Sequence, residues 1–256
     1  EMTCIVLAAG YATRMYPLTL TTPKPLLDVA GKTILDHILE KVARAPGIGR
    51  VVVVSNAKFH GAFLAWAERG NLPFQTVILN DGSTDNGNRL GAVADIAFAV
   101  DKAGIDQDAL VLAGDNLFDF EISDFKAFFD RKNADCVTTH ILDDTDRLRR
   151  TGVIEMGPDD RVLSFEEKPR VPKSRFAVPP FYMYRRDTLP MFAEFLARGN
   201  DPDAPGNFIP WLLERKPVYA FRFSGGRYDI GSPESYREAV RIFTLRLTRG
   251  ADSEYL

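Results

Sequence analysis

The alternation of strand-like and helix-like segments through the first half of the chain most constrains the fold. Short apolar runs alternate with segments whose apolar residues recur every three or four positions, as in the amphipathic stretch between Arg89 and Ala103. Because parallel strands need a crossover between them, this alternation predicts right-handed βαβ units. The expected fold is therefore α/β and Rossmann-like, with a mixed, mostly parallel sheet flanked by helices.

Strand-like and helix-like patterns can be assigned along most of the sequence. The predicted strands are Thr3–Ala8, Val51–Ser55, Phe74–Leu79, Ala109–Ala113, Asp135–Leu142, Gly152–Met156, Val162–Glu166, Phe176–Tyr184 and Val218–Phe223. The predicted helices are Ile34–Ala45, Phe59–Arg69, Arg89–Ala103, Phe125–Lys132, Thr188–Ala197, Phe208–Arg215 and Pro233–Arg246. A polar turn between Met156 and Val162 indicates a hairpin, and no linker or repeat interrupts the pattern, which favours a single domain over residues 1–256.

Composition excludes several classes of protein. The 256 residues carry a formal net charge of −3, which gives no general electrostatic footprint for nucleic acid. Cys4 and Cys136 lie in apolar runs and are expected to be buried thiols of a reducing compartment. No apolar run approaches the roughly 20 residues that span a bilayer. We therefore expect a soluble cytoplasmic protein that binds neither nucleic acid nor membrane.

Ligands of such sheets bind beyond the carboxyl ends of the strands, so the loops there are the first place to look for chemistry. The loop after the first strand contains small residues followed by Thr13, Arg14 and Lys24. Free backbone amides, a planar guanidinium and an ammonium group all suit phosphate oxygens. The alternative is a surface loop whose cations are only solvated.

Two carboxylates stand at later strand ends. Asp115 follows the predicted strand Ala109–Ala113, and Asp229 precedes the last predicted helix. Mg²⁺ binds one or two carboxylates and takes its other oxygens from phosphates and water, so either residue could be a metal ligand. A turn or cap role is the alternative for both.

Two further acidic positions have a candidate binding role. Lys168 follows Glu167 at a strand end, where the lysine could hold a second anionic substrate while the glutamate accepts hydrogen bonds from its hydroxyls. The alternative is an exposed charged strand end. Asp81 could accept a hydrogen bond from a base N–H, or it could form a turn with Gly82.

Taken in order, these segments resemble the sugar-1-phosphate nucleotidylyltransferases, also called nucleotide-diphosphosugar pyrophosphorylases, and most closely the glucose-1-phosphate thymidylyltransferases. The resemblance covers residues 2–245. The matching positions are Leu7–Arg14, Pro17, Pro23–Pro25, Leu90–Gly91, Gly114–Asn116, Gly152–Val153, Glu167–Pro169 and Asp229–Ser232. It implies the nucleotide-diphosphosugar transferase fold, with a nucleotide-binding half at about 2–150 and a sugar-phosphate-binding half at about 151–246.

The resemblance also implies a reaction and a set of roles. A sugar-1-phosphate oxygen attacks the α-phosphorus of a nucleoside triphosphate, and pyrophosphate leaves. Arg14 and Lys24 would bind and neutralise the triphosphate, Asp115 and Asp229 would share Mg²⁺, and Lys168 would grip the sugar phosphate. The implied nucleotide-binding residues are Ala9, Gly10, Thr13, Arg14, Asp81 and Gly91; the implied sugar-phosphate-binding residues are Gly152, Glu167, Lys168 and Val178.

Two other functions fit parts of the same pattern. A nucleotidylyltransferase with a phosphocholine acceptor shares the opening segment, and its cation would need aromatic side chains, for which Phe181, Tyr182 and Tyr184 are the candidates. A non-catalytic nucleotide-sugar sensor would have lost an anion-binding or metal-binding residue. The sugar acceptor is favoured, the base and the sugar are left open, and assembly into a homo-oligomer is compatible with the resemblance.

Overall fold

The computed structural model describes residues 1–253 as eight α-helices and fourteen strands, joined by short 3-10 turns. The helices are α1 Ile34–Arg44, α2 His60–Arg69, α3 Ala92–Lys102, α4 Ile122–Lys132, α5 Thr145–Leu148, α6 Leu189–Ala197, α7 Phe208–Leu213 and α8 Pro233–Ser253. The strands are β1 Met2–Leu7, β2 Asp28–Val29, β3 Lys32–Thr33, β4 Ile48–Ser55, β5 Gln75–Asn80, β6 Asp108–Ala113, β7 Asn116–Phe118, β8 Asp135–Ile141, β9 Gly152–Met156, β10 Val162–Glu167, β11 Phe176–Val178, β12 Phe181–Tyr184, β13 Val218–Arg222 and β14 Arg227–Asp229.

One ten-stranded sheet forms the centre of the described part of the chain, in the order β10-β9-β11-β8-β12-β6-β1-β4-β5, with β13 beside β8. The parallel pairs β1–β4, β1–β6, β4–β5 and β8–β13 and the antiparallel pairs around β11 and β12 set the strand directions. The strands β1, β4, β5, β6, β8, β9 and β13 consequently run one way, and β10, β11 and β12 run the other. This confirms the predicted mixed, mostly parallel sheet.

Helices cover both faces of the sheet, because side chains of each buried strand alternate between them. In β1, Cys4 and Val6 pack toward α1, α2 and α4, whereas Ile5 packs toward α3, α6 and α7. Both cysteines are buried, as expected, and burial raises the pKa of each thiol well above its usual value. Strands from both halves of the chain share this sheet, and the division into two functional halves stays a prediction.

Most predicted elements are present, with ends shifted by a few residues. The first helix begins after a capping box in which Thr33 and Asp36 exchange hydrogen bonds between side chain and backbone. The hairpin of β9 and β10 also forms as expected. The last helix begins at Pro233, where the Ser232 hydroxyl accepts a bond from the Ser235 amide, and it continues past the expected end.

The prediction of one strand over Phe176–Tyr184 is wrong. The segment forms two strands, β11 and β12, because Pro179 and Pro180 have no backbone N–H for a sheet ladder. The break lets β11 pair with β9 while β12 pairs with β6, although both lie along β8. The segment therefore links β9, on one side of β8 in the sheet, to β6 on the other.

Across residues 1–253, we find no helix with both the length and the apolar character needed to traverse a lipid bilayer.

Candidate active site

A short antiparallel ribbon brings the two predicted carboxylates together. In the pairing of β7 with β14, Asn116 lies opposite Asp229, so Asp115 is next to the residue that faces Asp229 across the ribbon. Neither strand is predicted from the sequence. Asp115 itself follows β6, and the Gly114 amide donates to the Leu7 carbonyl at 2.9 Å. The ribbon therefore lies beside the loop that follows β1.

Asp115 is held in its ionised form by its neighbours. The Lys24 ammonium donates to its Oδ2 at 2.9 Å, and the Asn116 amide donates to its Oδ1 at 2.9 Å. Burial raises the pKa of Asp115, but Lys24, the Asn116 hydrogen bond and the Arg227 charge together outweigh it, so the net shift is downward. The structure thus joins the predicted cation of the first loop to the predicted carboxylate of the second.

Arg227 is a site residue that the sequence analysis missed. Its side chain is only 10% exposed, its Nε donates to Asn116 Oδ1 at 3.0 Å, and its Nη2 lies 3.9 Å from Asp229 Oδ2. Burial lowers the pKa of this guanidinium, while nearby Asp229 and Asp115 oppose that change. The available signal was its position two residues before Asp229, which puts both side chains on one face of an extended segment.

The donor set suits magnesium. Asp115 is ionised, and the Asp229 side chain is 55% exposed and open to a ligand. Within residues 1–253 no group of three His, Cys, Asp or Glu side chains forms a metal cage. A cation bound here would take its remaining oxygens from phosphates and water, which is how Mg²⁺ is held at phosphate-transfer sites.

The loop after β1 has a defined shape. The Asn56 amide donates to the Ala9 carbonyl at 2.9 Å, and the Thr19 hydroxyl donates to the Ala12 carbonyl at 2.8 Å. Gly10 is exposed, with open space where a side chain would be. Thr13 and Arg14 follow in a 3-10 turn, and both are exposed. Within residues 1–253 the Thr13 and Arg14 side chains form no hydrogen bond or ion pair, so both are open to a ligand.

A cavity of about 650 Å³ adjoins this loop, the ribbon and the first turns of α8. Basic groups from separate parts of the chain dominate its lining: Arg14, Arg147, Arg150, Lys168 and Arg227. Asp229 and Glu238 are the acidic groups that line it. Positive charge is thus in excess, as a site for phosphate groups requires.

The predicted sugar-phosphate residues meet across three adjacent strands. Glu167 of β10 lies opposite Gly152 of β9, which in turn lies opposite Val178 of β11. Burial raises the pKa of Glu167, and the charges of Lys168 and Arg227 oppose the shift. A side chain at Gly152 would come within 2.5 Å of the Phe165 ring, which explains the glycine.

Lys168 follows directly at the end of β10. Its backbone has a φ of 50°, and its amide donates to the Thr151 carbonyl at 3.0 Å. A lysine in this left-handed region is strained, which is a feature of functional sites. Its side chain is exposed toward the cavity that it lines.

Gly91 and Asp81, both predicted to bind the nucleotide, are not among the residues that line the cavity. Gly91 has a φ of 95°, and a Cβ there would be 2.5 Å from the Pro202 carbonyl oxygen. Asp81 Oδ1 accepts from the Ser83 amide at 2.8 Å, as the turn alternative requires.

Asp95 is a second residue near this turn with an unusual carboxyl group. Burial raises its pKa to about 9, and a hydrogen bond with the Asp81 carboxylate contributes to the shift. The sequence analysis did not single out Asp95, whose only signal was a carboxylate on a helix with a buried face.

Comparison with known proteins agrees with this geometry. A family model described as "Nucleotidyl transferase" matches residues 3–244. The glucose-1-phosphate adenylyltransferase of Clostridium novyi (strain NT) is 28% identical over 256 residues, which cover 93% of this chain and 66% of that protein. The chain thus spans slightly less than two thirds of that relative.

Solved structures share the fold. A protein from Bacillus anthracis that is named as a glucose-1-phosphate thymidylyltransferase superposes with a TM-score of 0.77 at 23% identity, over 95% of this chain and 96% of the other. A UDP-glucose pyrophosphorylase complexed with UDP-glucose gives a TM-score of 0.81 at 20% identity, over 95% and 98% of the two chains. The α/β architecture expected from the sequence is therefore confirmed.

Proposed function

The chain belongs to the nucleotidyl transferase family, and from this premise we propose that it transfers a nucleotidyl group from a nucleoside triphosphate to a sugar-1-phosphate. The products are a nucleotide sugar and pyrophosphate. The observation that carries the proposal is the cavity itself, which five basic side chains line together with Asp229, whose ribbon partner Asn116 is next to Asp115. Two phosphorylated substrates would bring the negative charge that these side chains lack.

The reaction needs positioning and charge stabilisation rather than a covalent enzyme intermediate. An oxygen of the acceptor phosphate forms a bond to the α-phosphorus, and the bond from that phosphorus to the bridging oxygen of pyrophosphate breaks. Arg14, at the exposed turn after β1, would hold the triphosphate and the departing pyrophosphate. Lys24, whose ammonium lies 2.9 Å from Asp115 Oδ2, would stabilise charge beside the α-phosphate.

On the acceptor side, Lys168 would bind the sugar phosphate, and Glu167, Gly152 and Val178 would line the sugar. We propose Mg²⁺ as the cofactor, held by Asp115 and Asp229. When bound, it would act as a Lewis acid on phosphate oxygens and neutralise their charge. Ala9, Gly10, Thr13, Asp81 and Gly91 are proposed for the nucleotide side.

The cavity disfavours a phosphocholine acceptor. A quaternary ammonium needs exposed aromatic faces and is repelled by cations. Phe181, Tyr182 and Tyr184 are at most 2% exposed and pack in the core, and the cavity lining is dominated by arginines. A sensor without activity is disfavoured because each anion-binding and metal-binding position keeps its charged residue. A cytoplasmic location and homo-oligomeric assembly stay predictions.

The test is pyrophosphate release across a grid of nucleoside triphosphates and acceptors, with Mg²⁺ present or chelated. The acceptors are several hexose 1-phosphates and phosphocholine. We expect release that requires one triphosphate, one hexose 1-phosphate and Mg²⁺. Release with phosphocholine alone would transfer the assignment to the other acceptor class, and silence together with measurable triphosphate binding would favour the sensor.

A further inference from the structure

Three arginines lie close together in the segment before β9, and they differ in what they contact. The Arg149 Nε donates to the Arg170 carbonyl at 3.0 Å, and the Arg150 Nε donates to the Asp146 carbonyl at 3.1 Å. The Arg147 guanidinium forms no hydrogen bond or ion pair within residues 1–253, and it lines the cavity. Within the described residues this guanidinium therefore has no polar partner, and it is available to an anion in the cavity.

Arg227, on the ribbon formed by β7 and β14, uses only part of its hydrogen-bonding capacity within the described part of the protein. Guanidinium groups have five N–H donors, and Arg227 uses its Nε for Asn116, with a looser ion pair from Nη2 to Asp229. Its side chain is nine-tenths buried, and it lines the cavity. Its remaining donors belong to a side chain that lines the cavity, where phosphate oxygens suit a guanidinium.

The positive charges of Arg147 and Arg227 both affect one buried side chain, that of His140. His140 is buried and stacked on Phe223, and its pKa is lowered to about 4 by burial and then by the charges of Arg227 and Arg147. Lys168, the strained residue that follows β10, lines the cavity with both arginines. These three cations come from α5, β14 and the end of β10, on the side where Gly152 and Val178 also lie.

We propose that Arg147 and Arg227 bind the phosphate of the acceptor, forming with Lys168 a three-cation clamp on the acceptor side of the cavity. This inference rests on the proposed function and adds two residues to it. The planar arginine fork can make two parallel hydrogen bonds to phosphate oxygens, which fixes the attacking oxygen more narrowly than a lysine alone. Arg14 is left for the triphosphate.

The test compares Arg147→Ala and Arg227→Lys with Arg149→Ala, a matched control in the same segment that does not line the cavity. Substrates are glucose 1-phosphate, or the hexose 1-phosphate that the pyrophosphate assay selects, and the preferred triphosphate. We expect the acceptor KM to rise about tenfold or more in both clamp variants, the triphosphate KM to change less than about twofold, and the control to match wild type. The clamp would be overturned if the acceptor KM and the triphosphate KM rose equally, or if neither KM rose.

Failure of the proposed function would look different. If the wild-type protein releases no pyrophosphate with any acceptor, the clamp is tested by calorimetric titration with inorganic phosphate. Tenfold weaker binding to Arg147→Ala than to wild type and to Arg149→Ala would support it, and equal binding by all three would refute it. Because Arg227 is buried, a melting curve checks that the Arg227→Lys variant folds. If that variant does not fold, the Arg147→Ala variant, at an exposed position, carries the test by itself.

Discussion

On the proposed nucleotide side, the segment 84–88 of the loop after β5 bonds to itself, whereas on the proposed acceptor side the side chains of Arg147 and Lys168 make no hydrogen bond or ion pair within the described residues. In the loop, Asp85 Oδ1 accepts from the amides of Gly87 and Asn88, and Asn88 Oδ1 accepts from those of Thr84 and Asp85. Polar residues of the loop thus fix its conformation, whereas the cations at the cavity are available to bind a ligand.

The difference separates stability from binding. A loop that bonds to itself is shaped before any ligand arrives, so damage there should reduce the stability of the fold. Unpaired cations around a cavity repel one another until an anion arrives, so their removal should weaken ligand binding and leave the fold intact. Substitutions on each side therefore test whether stability and ligand binding are separated in this way.

The largest effect is expected for Asp115→Asn. A neutral amide is a poor magnesium ligand and leaves Lys24 without its carboxylate, so kcat should fall by about a thousandfold. Because the largely buried Lys24 loses its partner, the melting temperature should also fall by a few degrees, with the fold retained. Asp108→Asn is the control, because Asp108 lies at the opposite end of β6 and pairs with Arg185. That control should lower stability without lowering turnover, and near-wild-type turnover in Asp115→Asn would remove Asp115 from the metal role.

The next effect belongs to the nucleotide side and concerns Gly91→Ala. A Cβ there would meet the Pro202 carbonyl at 2.5 Å, in a backbone region that only glycine adopts freely. We expect about 3 kcal/mol less free energy of unfolding, measured by urea denaturation. Gly82→Ala separates strain from contact, because Gly82 has a φ of 84° with nothing within 4 Å. It should cost about 1–2 kcal/mol, and equal losses would show that the contact with Pro202 adds nothing.

The sequence alone is enough to predict the parts of the fold that depend on local pattern. Apolar runs such as Val51–Val54 form buried strands, and the Thr33 cap begins α1 where its side chain can bond to the Asp36 amide. The strand-end positions of Asp115 and Lys168 also follow from local pattern, because such a sheet places its loops at one edge.

What could not be predicted depends on contacts between distant residues. The strands β7 and β14 have three residues each, too few for any periodicity, and Arg227 reaches Asn116 from 111 positions along the chain. The ribbon that unites Asp115 with Asp229 therefore leaves no local signal. Asp95 was equally hidden, because its burial depends on the loop that carries Asp81.

The carboxyl pair on the proposed nucleotide side should give the smallest change per step of its experiment, on the order of 1 kcal/mol for each pH unit. Burial, and then the hydrogen bond with Asp81, raise the pKa of Asp95 from 3.8 to about 9, so the folded protein holds a proton that the unfolded chain releases above pH 4. Stability should therefore fall as pH rises from about 4 to 9, by on the order of 1 kcal/mol per pH unit.

The Asp95→Asn variant tests this dependence, because its amide still donates to Asp81 but does not titrate. The difference in free energy of unfolding between the variant and wild type should grow with pH in urea denaturation at pH 5 to 8. Asp101→Asn, an exposed position on the same helix, should keep the wild-type slope, and a wild-type slope in Asp95→Asn would show that the pair shares no proton.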